Sequence, residues 1–100
     1  MIVEITNSPN KNKRYRVILN NDKHYDFGLK DGETYIDHKD TIIRKNYWAR
    51  HMANKSEKKL ITNLIPSPAL FSAMILWGPH KTLKENVITL NKLLETKYNL

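Results

Sequence analysis

The hydrophobic pattern of this chain changes its period near Asp37, and that change constrains the fold more than any other feature. Before Asp37, short runs of β-branched and aromatic residues alternate with turn-forming residues, as in strands. After it, apolar residues recur every three or four positions, as in helices. A chain of 100 residues accommodates one hydrophobic core. We therefore predict a single α+β domain over residues 1–100, with a β-rich part at 1–36 and a helical part at 37–98.

The β-rich part is predicted to form three or four short antiparallel strands. Residues 2–5 form the first run, and residues 13–19 alternate like a half-buried strand with a basic outer face. Asn20, Asn21 and Asp22 tolerate left-handed backbone, so residues 20–22 are predicted to turn the chain into a hairpin with residues 24–27. Residues 34–36 are the candidate fourth strand.

The helical part is predicted to place three helices on one face of the sheet. The first spans residues 41–52, with Asp37 or Asp40 as its cap. Asn54–Lys59 is polar and is predicted to be a solvated loop. The segment Leu60–Ile65 is more apolar than a connection requires, which fits either an additional helical turn or a contact surface.

The second and third predicted helices have clear start signals. Ser67 followed by Pro68 is a cap and a first-turn proline, and Gly78 ends that apolar helix. Thr82 and Glu85 have the spacing of a capping box at the start of an amphipathic helix. The predicted core consists of Phe27, Ile43, Tyr47, Phe71, Leu76, Trp77 and Leu90.

Composition excludes several classes of protein. The chain has no cysteine, so disulfides, thiolate nucleophiles and cysteine-ligated zinc are excluded. The longest apolar segment, residues 69–77, is too short to span a membrane, and we expect no secretion signal. His24, His38, His51 and His80 lack the spacing of ligands on one helical turn, so we expect neither a metal site nor a cofactor.

The run Asp37–Asp40 contains the residue types of a phospholipase D signature. In that signature the His, Lys and Asp are spaced apart so that they converge, whereas here they are consecutive and point in different directions. A polar helix cap explains the run better. Because no glycine-rich phosphate loop and no serine elbow is present either, we do not expect an enzyme.

Residues 39–59 carry most of the net positive charge. Seven basic residues oppose Asp40 and Glu57, which leaves +5 of the chain's net +7. Basic side chains beside Tyr47 and Trp48 suit phosphate contacts with base stacking, or contacts with a protein partner. An ordinary solvated helix with Tyr47 in the core is the alternative. The candidate binding residues are Lys39, Arg44, Lys45, Trp48, Arg50, His51, Lys55, Lys58 and Lys59.

Several short motifs lie separated between about Arg14 and Lys97. They are Asp26-Phe27-Gly28, Tyr35, His38-Lys39-Asp40, Arg44, Tyr47, Arg50-His51, Ser67-Pro68, Ser72 and Leu76-Trp77-Gly78. In this order they resemble a family of small basic proteins of nucleocytoplasmic large DNA viruses, with related segments in some tailed phages. The resemblance implies a viral origin and a place in the particle, as a minor capsid or core component, and it brings no catalytic residues.

The basic helical face predicts a non-enzymatic binding protein, and the resemblance implies a structural or assembly protein of a virion that is also present in the host cytoplasm during assembly. Its expected partners are viral capsid or core proteins. The alternative is a DNA-binding protein that contacts phosphates, and a small nuclease is the weakest hypothesis. On this interpretation Trp77 belongs to the core, while Arg44 and Arg50 are expected to tolerate replacement by Ala without unfolding.

Overall fold

The computed structural model describes residues 1–98. An N-terminal antiparallel sheet of three strands, in the order β1-β2-β3, is followed by helices, which confirms the predicted α+β class. Within residues 1–98, no helix is long and apolar enough to cross a membrane. The elements are β1 (Ile2–Asn7), β2 (Lys13–Leu19), β3 (His24–Leu29), α1 (Tyr35–His38), α2 (Thr41–Ala53), α3 (Lys55–Thr62), α4 (Pro68–Phe71, continued by a π-helical turn at Ser72–Leu76) and α5 (Leu83–Tyr98).

The central strand β2 fixes the register of the sheet. The predicted hairpin is confirmed, with Asp22 in the left-handed region at φ 67° and Val17 opposite Tyr25. Alternation turns Val17 and Phe27 to the inner face, where both are fully buried. These side chains pack against the helices, so the inner face of the sheet forms one wall of the core.

The predicted extended segment at residues 34–36 is wrong, because the chain is helical from Tyr35. Thr34 caps α1 together with Asp37, whose Oδ2 accepts bonds from the Thr34 backbone N–H and hydroxyl at 2.8 Å each. The same carboxylate pairs with both terminal nitrogens of Arg14 at 2.7 Å, and this bidentate bond holds the pKa of Asp37 well below its usual range. The helical part therefore begins at Tyr35 and is tied to β2.

Helix α2 was predicted, but α3 was not. Asp40 caps α2 by accepting from the backbone N–H groups of Ile42 and Ile43, as one of the two proposed caps. The predicted loop at 54–59 is wrong, because Asn54 caps a helix there and its side chain accepts from the N–H of Glu57. This helix reaches Thr62 and buries Ile61, so part of the apolar segment at 60–65 is helical.

The helix starts at Ser67 and Thr82 are confirmed. The Ser67 hydroxyl accepts a hydrogen bond from the Leu70 N–H. The Thr82 hydroxyl accepts one from the Glu85 backbone N–H and donates one to the Glu85 carboxylate. Five of the seven predicted core residues are buried, but Trp77 is only half-buried and Ile43 is 45% exposed. Ile43 misses the core because Arg44, Tyr47, Trp48 and His51 form the inward stripe of α2. The buried five are Phe27, Tyr47, Phe71, Leu76 and Leu90.

Asn86 of α5 fastens the end of the π-helical turn. Its side chain is fully buried, donates to the carbonyls of Ile75 at 2.8 Å and His80 at 2.9 Å, and accepts from the His80 N–H at 2.8 Å. Gly78 makes this approach possible. A Cβ at Gly78 would lie 2.2 Å from the carbonyl oxygen of Met74 and 2.6 Å from the Asn86 side chain.

We expect Gly78→Ala to destabilise the fold by about 1 to 3 kcal/mol or more, since overpacking a rigid site forces the backbone to shift. Thermal and denaturant unfolding would measure the loss. Gly32→Ala is the matched control, because its nearest neighbour is the Leu29 Cβ at 3.2 Å, on an exposed side chain. Equal stability of the two variants would contradict the close packing of Gly78 with Asn86.

Candidate binding surface and adjoining cleft

Arg44 lies at the centre of the inward face of α2. Its Nε donates to the backbone carbonyls of Trp77 at 3.1 Å and Gly78 at 2.9 Å, beyond the last turn of the α4 segment. Its guanidinium also lies over the rings of Tyr35 and Trp48, at 5.5 and 5.7 Å from their centroids. A cation at the carbonyl end of a helix is favourable. Arg44 therefore connects α2 to the core and is not a free binding group.

The aromatic residues of α2 are also engaged within the chain. Tyr47 stacks on Trp77 with centroids 4.2 Å apart and planes 3° apart, and the His51 ring lies 4.0 Å from Tyr47. Two rings this close to one centroid cannot share a face, so both faces of Tyr47 are covered. Burial raises the pKa of Tyr47 to about 12. Trp48 is half-buried and donates its Nε1–H to the Trp77 carbonyl at 2.7 Å.

His51 joins α2 to α3. Its Nδ1 forms a hydrogen bond with the Glu57 carboxylate, and both side chains are about one third exposed or less. The imidazole is thus held between a carboxylate and the Tyr47 ring. His51 is positioned by the fold, so it is not an independent member of the basic surface.

Some exposed cations of the predicted site lie singly on the surface, and others share one helix face. Lys45 and Arg50 are both exposed on α2, but five residues correspond to about 140° around a helix, so they lie on different flanks. Lys39 is exposed at the left-handed end of α1, at φ 58°. On α3 the spacing i, i+3, i+4 brings three exposed lysines onto one face. We name Lys55, Lys58 and Lys59 the lysine triad.

The lysine triad makes no salt bridge within the part of the chain that the structure describes. The structure thus gathers three of the nine predicted site residues into one patch, while Arg44, Trp48 and His51 bond inside the fold. The sequence contained a signal for this patch. Asn54 followed three residues later by Glu57 is an N-terminal capping pattern, and it would have predicted α3.

A cleft of about 460 Å³ adjoins α2 and was not predicted. The segment between β3 and α1 forms one side, α2 and α3 form another, and α4 with its π-helical turn forms the floor. Among residues 1–98, no group of three or more His, Cys, Asp or Glu side chains is arranged to hold a metal ion. The principal lining residues are Lys13, Tyr47, Arg50, His51, Glu57, Ala69, Ser72, Leu76 and Trp77.

A family described as "Family of unknown function (DUF5754)" matches residues 3–51. The matched segment runs from β1 into α2 and ends before the lysine triad. No curated protein matches the chain, and no solved structure matches it either. The similarity thus covers just under half of the 100 residues and brings no activity with it.

The position of Arg44 reverses the expectation that this residue tolerates replacement. We expect Arg44→Ala to lower the free energy of unfolding by about 1.5 to 3 kcal/mol, because it removes charged hydrogen bonds to two carbonyls. Denaturant unfolding would measure the change. Lys45→Ala, the neighbouring exposed residue, is the control and should change stability by no more than about 0.5 kcal/mol. A stable Arg44→Ala variant would contradict the structural role.

Proposed function

We propose that this protein is a non-enzymatic binding protein that joins other macromolecules through the lysine triad, as a structural or assembly component of a viral particle. The exposed basic surface of α3 supports the binding role. The viral setting rests on the resemblance of the separated motifs to proteins of large DNA viruses. The candidate partners are capsid or core proteins with acidic surfaces.

The main support for this proposal is that the lysine triad is exposed and unpaired in the described part of the chain. Three ammonium groups share one face of α3, are exposed, and make no salt bridge within residues 1–98. Unpaired like charges at this spacing repel each other and weaken the helix slightly. A polyanionic partner relieves that repulsion, and long-range attraction to such a partner increases the association rate.

Duplex DNA is the second candidate partner. Because the aromatic rings are covered, DNA would be bound through phosphate contacts and not through base stacking. Tyr47 has both faces covered, and Trp48 is half-buried with the Arg44 guanidinium over its ring and its indole N–H bonded internally, so neither ring offers an open face for base stacking. Lysines remain as the contact groups, and lysines contact phosphates without reading sequence. DNA binding would therefore be insensitive to sequence and would not require single strands.

For the DNA candidate, we expect binding to a mixed-sequence duplex to weaken steeply with salt, with a logarithmic slope of about 3 to 5. Lys55→Gln with Lys58→Gln and Lys59→Gln should reduce that slope by about 2 to 3, because each phosphate that a lysine neutralises adds about 0.9 to it. Fluorescence anisotropy across a salt series would measure both slopes.

The triple change Lys84→Gln, Lys92→Gln and Lys97→Gln is the matched control, since it removes the same charge from exposed positions on α5. A slope reduced equally by both triple variants would refute a site on α3. No binding at low salt would remove the DNA candidate and leave a protein partner.

For the particle setting, we expect the protein to be found by mass spectrometry in purified particles of the virus that encodes it. A structural role predicts that it stays with the shell after the genome is removed, whereas a DNA-bound role predicts that it leaves with the genome. Absence from the particles at every stage of purification, with the protein abundant in infected cells, would contradict a virion component.

A further inference from the structure

The cleft beside α2 has the properties of a small-molecule site and does not involve the lysine triad. Its volume of about 460 Å³ lies within the range of about 300 to 1,000 Å³ that ligand pockets occupy. None of Lys55, Lys58 and Lys59 lines it. A function for the cleft is therefore separate from the macromolecular binding proposed above.

The floor of the cleft is largely apolar. Pro68 and Ala69 contribute aliphatic surface from the α4 segment, beside Trp77 and above the buried side chains of Leu76 and Tyr47. Tyr47 is buried and its two neighbouring rings cover its faces, so any part of this ring that a ligand reaches is its rim. The rim of an aromatic ring carries positive partial charge, which favours an electron-rich or anionic neighbour.

Two cations line the cleft from different elements, Lys13 on β2 and Arg50 on α2. Within residues 1–98 neither takes part in a salt bridge. Of the two carboxylates in the lining, Glu57 is bound to His51, and Glu33 is exposed. The cations are thus available to an anionic group, and the guanidinium of Arg50 has the fork geometry that suits carboxylate or phosphate.

The π-helical turn adds a hydroxyl group. Ser72 begins the turn, and the Trp77 N–H bonds to the Ser72 carbonyl five residues back. The Ser72 side chain lines the cleft, and its hydroxyl is both a hydrogen-bond donor and an acceptor. Single π-helical turns are found frequently at functional sites. Ser72 therefore adds a hydroxyl group to the same lining that contains the two cations.

We propose that this cleft binds a small organic anion, with a carboxylate or phosphate group bound by Arg50, Lys13 and the Ser72 hydroxyl and an aromatic or aliphatic body on the floor. Both anionic groups present oxygen acceptors to the same donors. The apolar body distinguishes this ligand from the polyanion expected at the lysine triad.

The test is a titration of the ¹⁵N-labelled protein followed by amide chemical shifts. The probes are phenylacetate and phenyl phosphate, with phenylacetamide as the neutral counterpart and inorganic phosphate as the anion without a body. We expect both aryl anions to shift the amides of the cleft residues, including Ser72 and Trp77, and to bind at least about tenfold more tightly than either control. The tighter of the two aryl anions identifies carboxylate or phosphate as the natural group.

Variants test the assignment of the anion site. Arg50→Gln should weaken aryl anion binding about tenfold, and Ser72→Ala should weaken it less. Lys45→Gln removes the same charge from the other flank of α2 and should leave binding unchanged. Equal effects of Arg50→Gln and Lys45→Gln would overturn the proposal, and so would equal binding of phenylacetamide, equal binding of inorganic phosphate, or shifts absent from the cleft.

Discussion

The buried carbonyl end of the α4 segment is the constraint on which the rest of the helical part depends. A helix end leaves carbonyls without partners, and burying them unpaired is costly. Three side chains satisfy them here. Asn86 of α5 donates to Ile75, Trp48 of α2 donates to Trp77, and Arg44 of α2 donates to Trp77 and Gly78. The helices α2 and α5 are thus held at one point of the chain by directed bonds.

This junction also determines the candidate sites. With Arg44 and Trp48 directed inward, the same face of α2 places Tyr47 against Trp77 and His51 against Glu57. The His51 bond connects α3 to α2, and α3 presents its lysines on the opposite, exposed face. The basic surface and the cleft are therefore consequences of one arrangement of α2, although they use different residues.

Local signals were sufficient to predict much of the fold. The hairpin at Asp22, the cap at Ser67 and the capping box at Thr82 depend on short-range chemistry, and the structure confirms them. Thr34 and Asp37 also form a local cap, but the β-branched residues Thr34 and Ile36 led to a strand prediction for this segment. The missed α3 is similar, since its lysine-rich composition outweighed the Asn54 cap in the interpretation.

The candidate site was less predictable, because its determinants lie far apart in sequence. Nothing near Arg44 indicates that its partners are carbonyls more than thirty residues away. The π-helical turn at Ser72 is equally invisible, since its sequence is that of an ordinary apolar helix. The basic residues therefore predicted a binding surface on the helical part without its exact members. The tertiary packing is needed to show which cations bond within the fold and which are exposed.

That separation follows the chemistry of the two cationic side chains. Three of the four arginines bond within the fold: Arg14 to Asp37, Arg16 to Asp26, and Arg44 to backbone carbonyls. A planar fork with fixed donors suits such directed bonds, whereas a hydrated ammonium on a flexible stem suits a solvated surface. Arg50 is the arginine that makes no such bond within residues 1–98, and it lines the cleft. The planar fork that the other three arginines use for directed contacts inside the fold is the same geometry that the anion proposed for the cleft would require of Arg50.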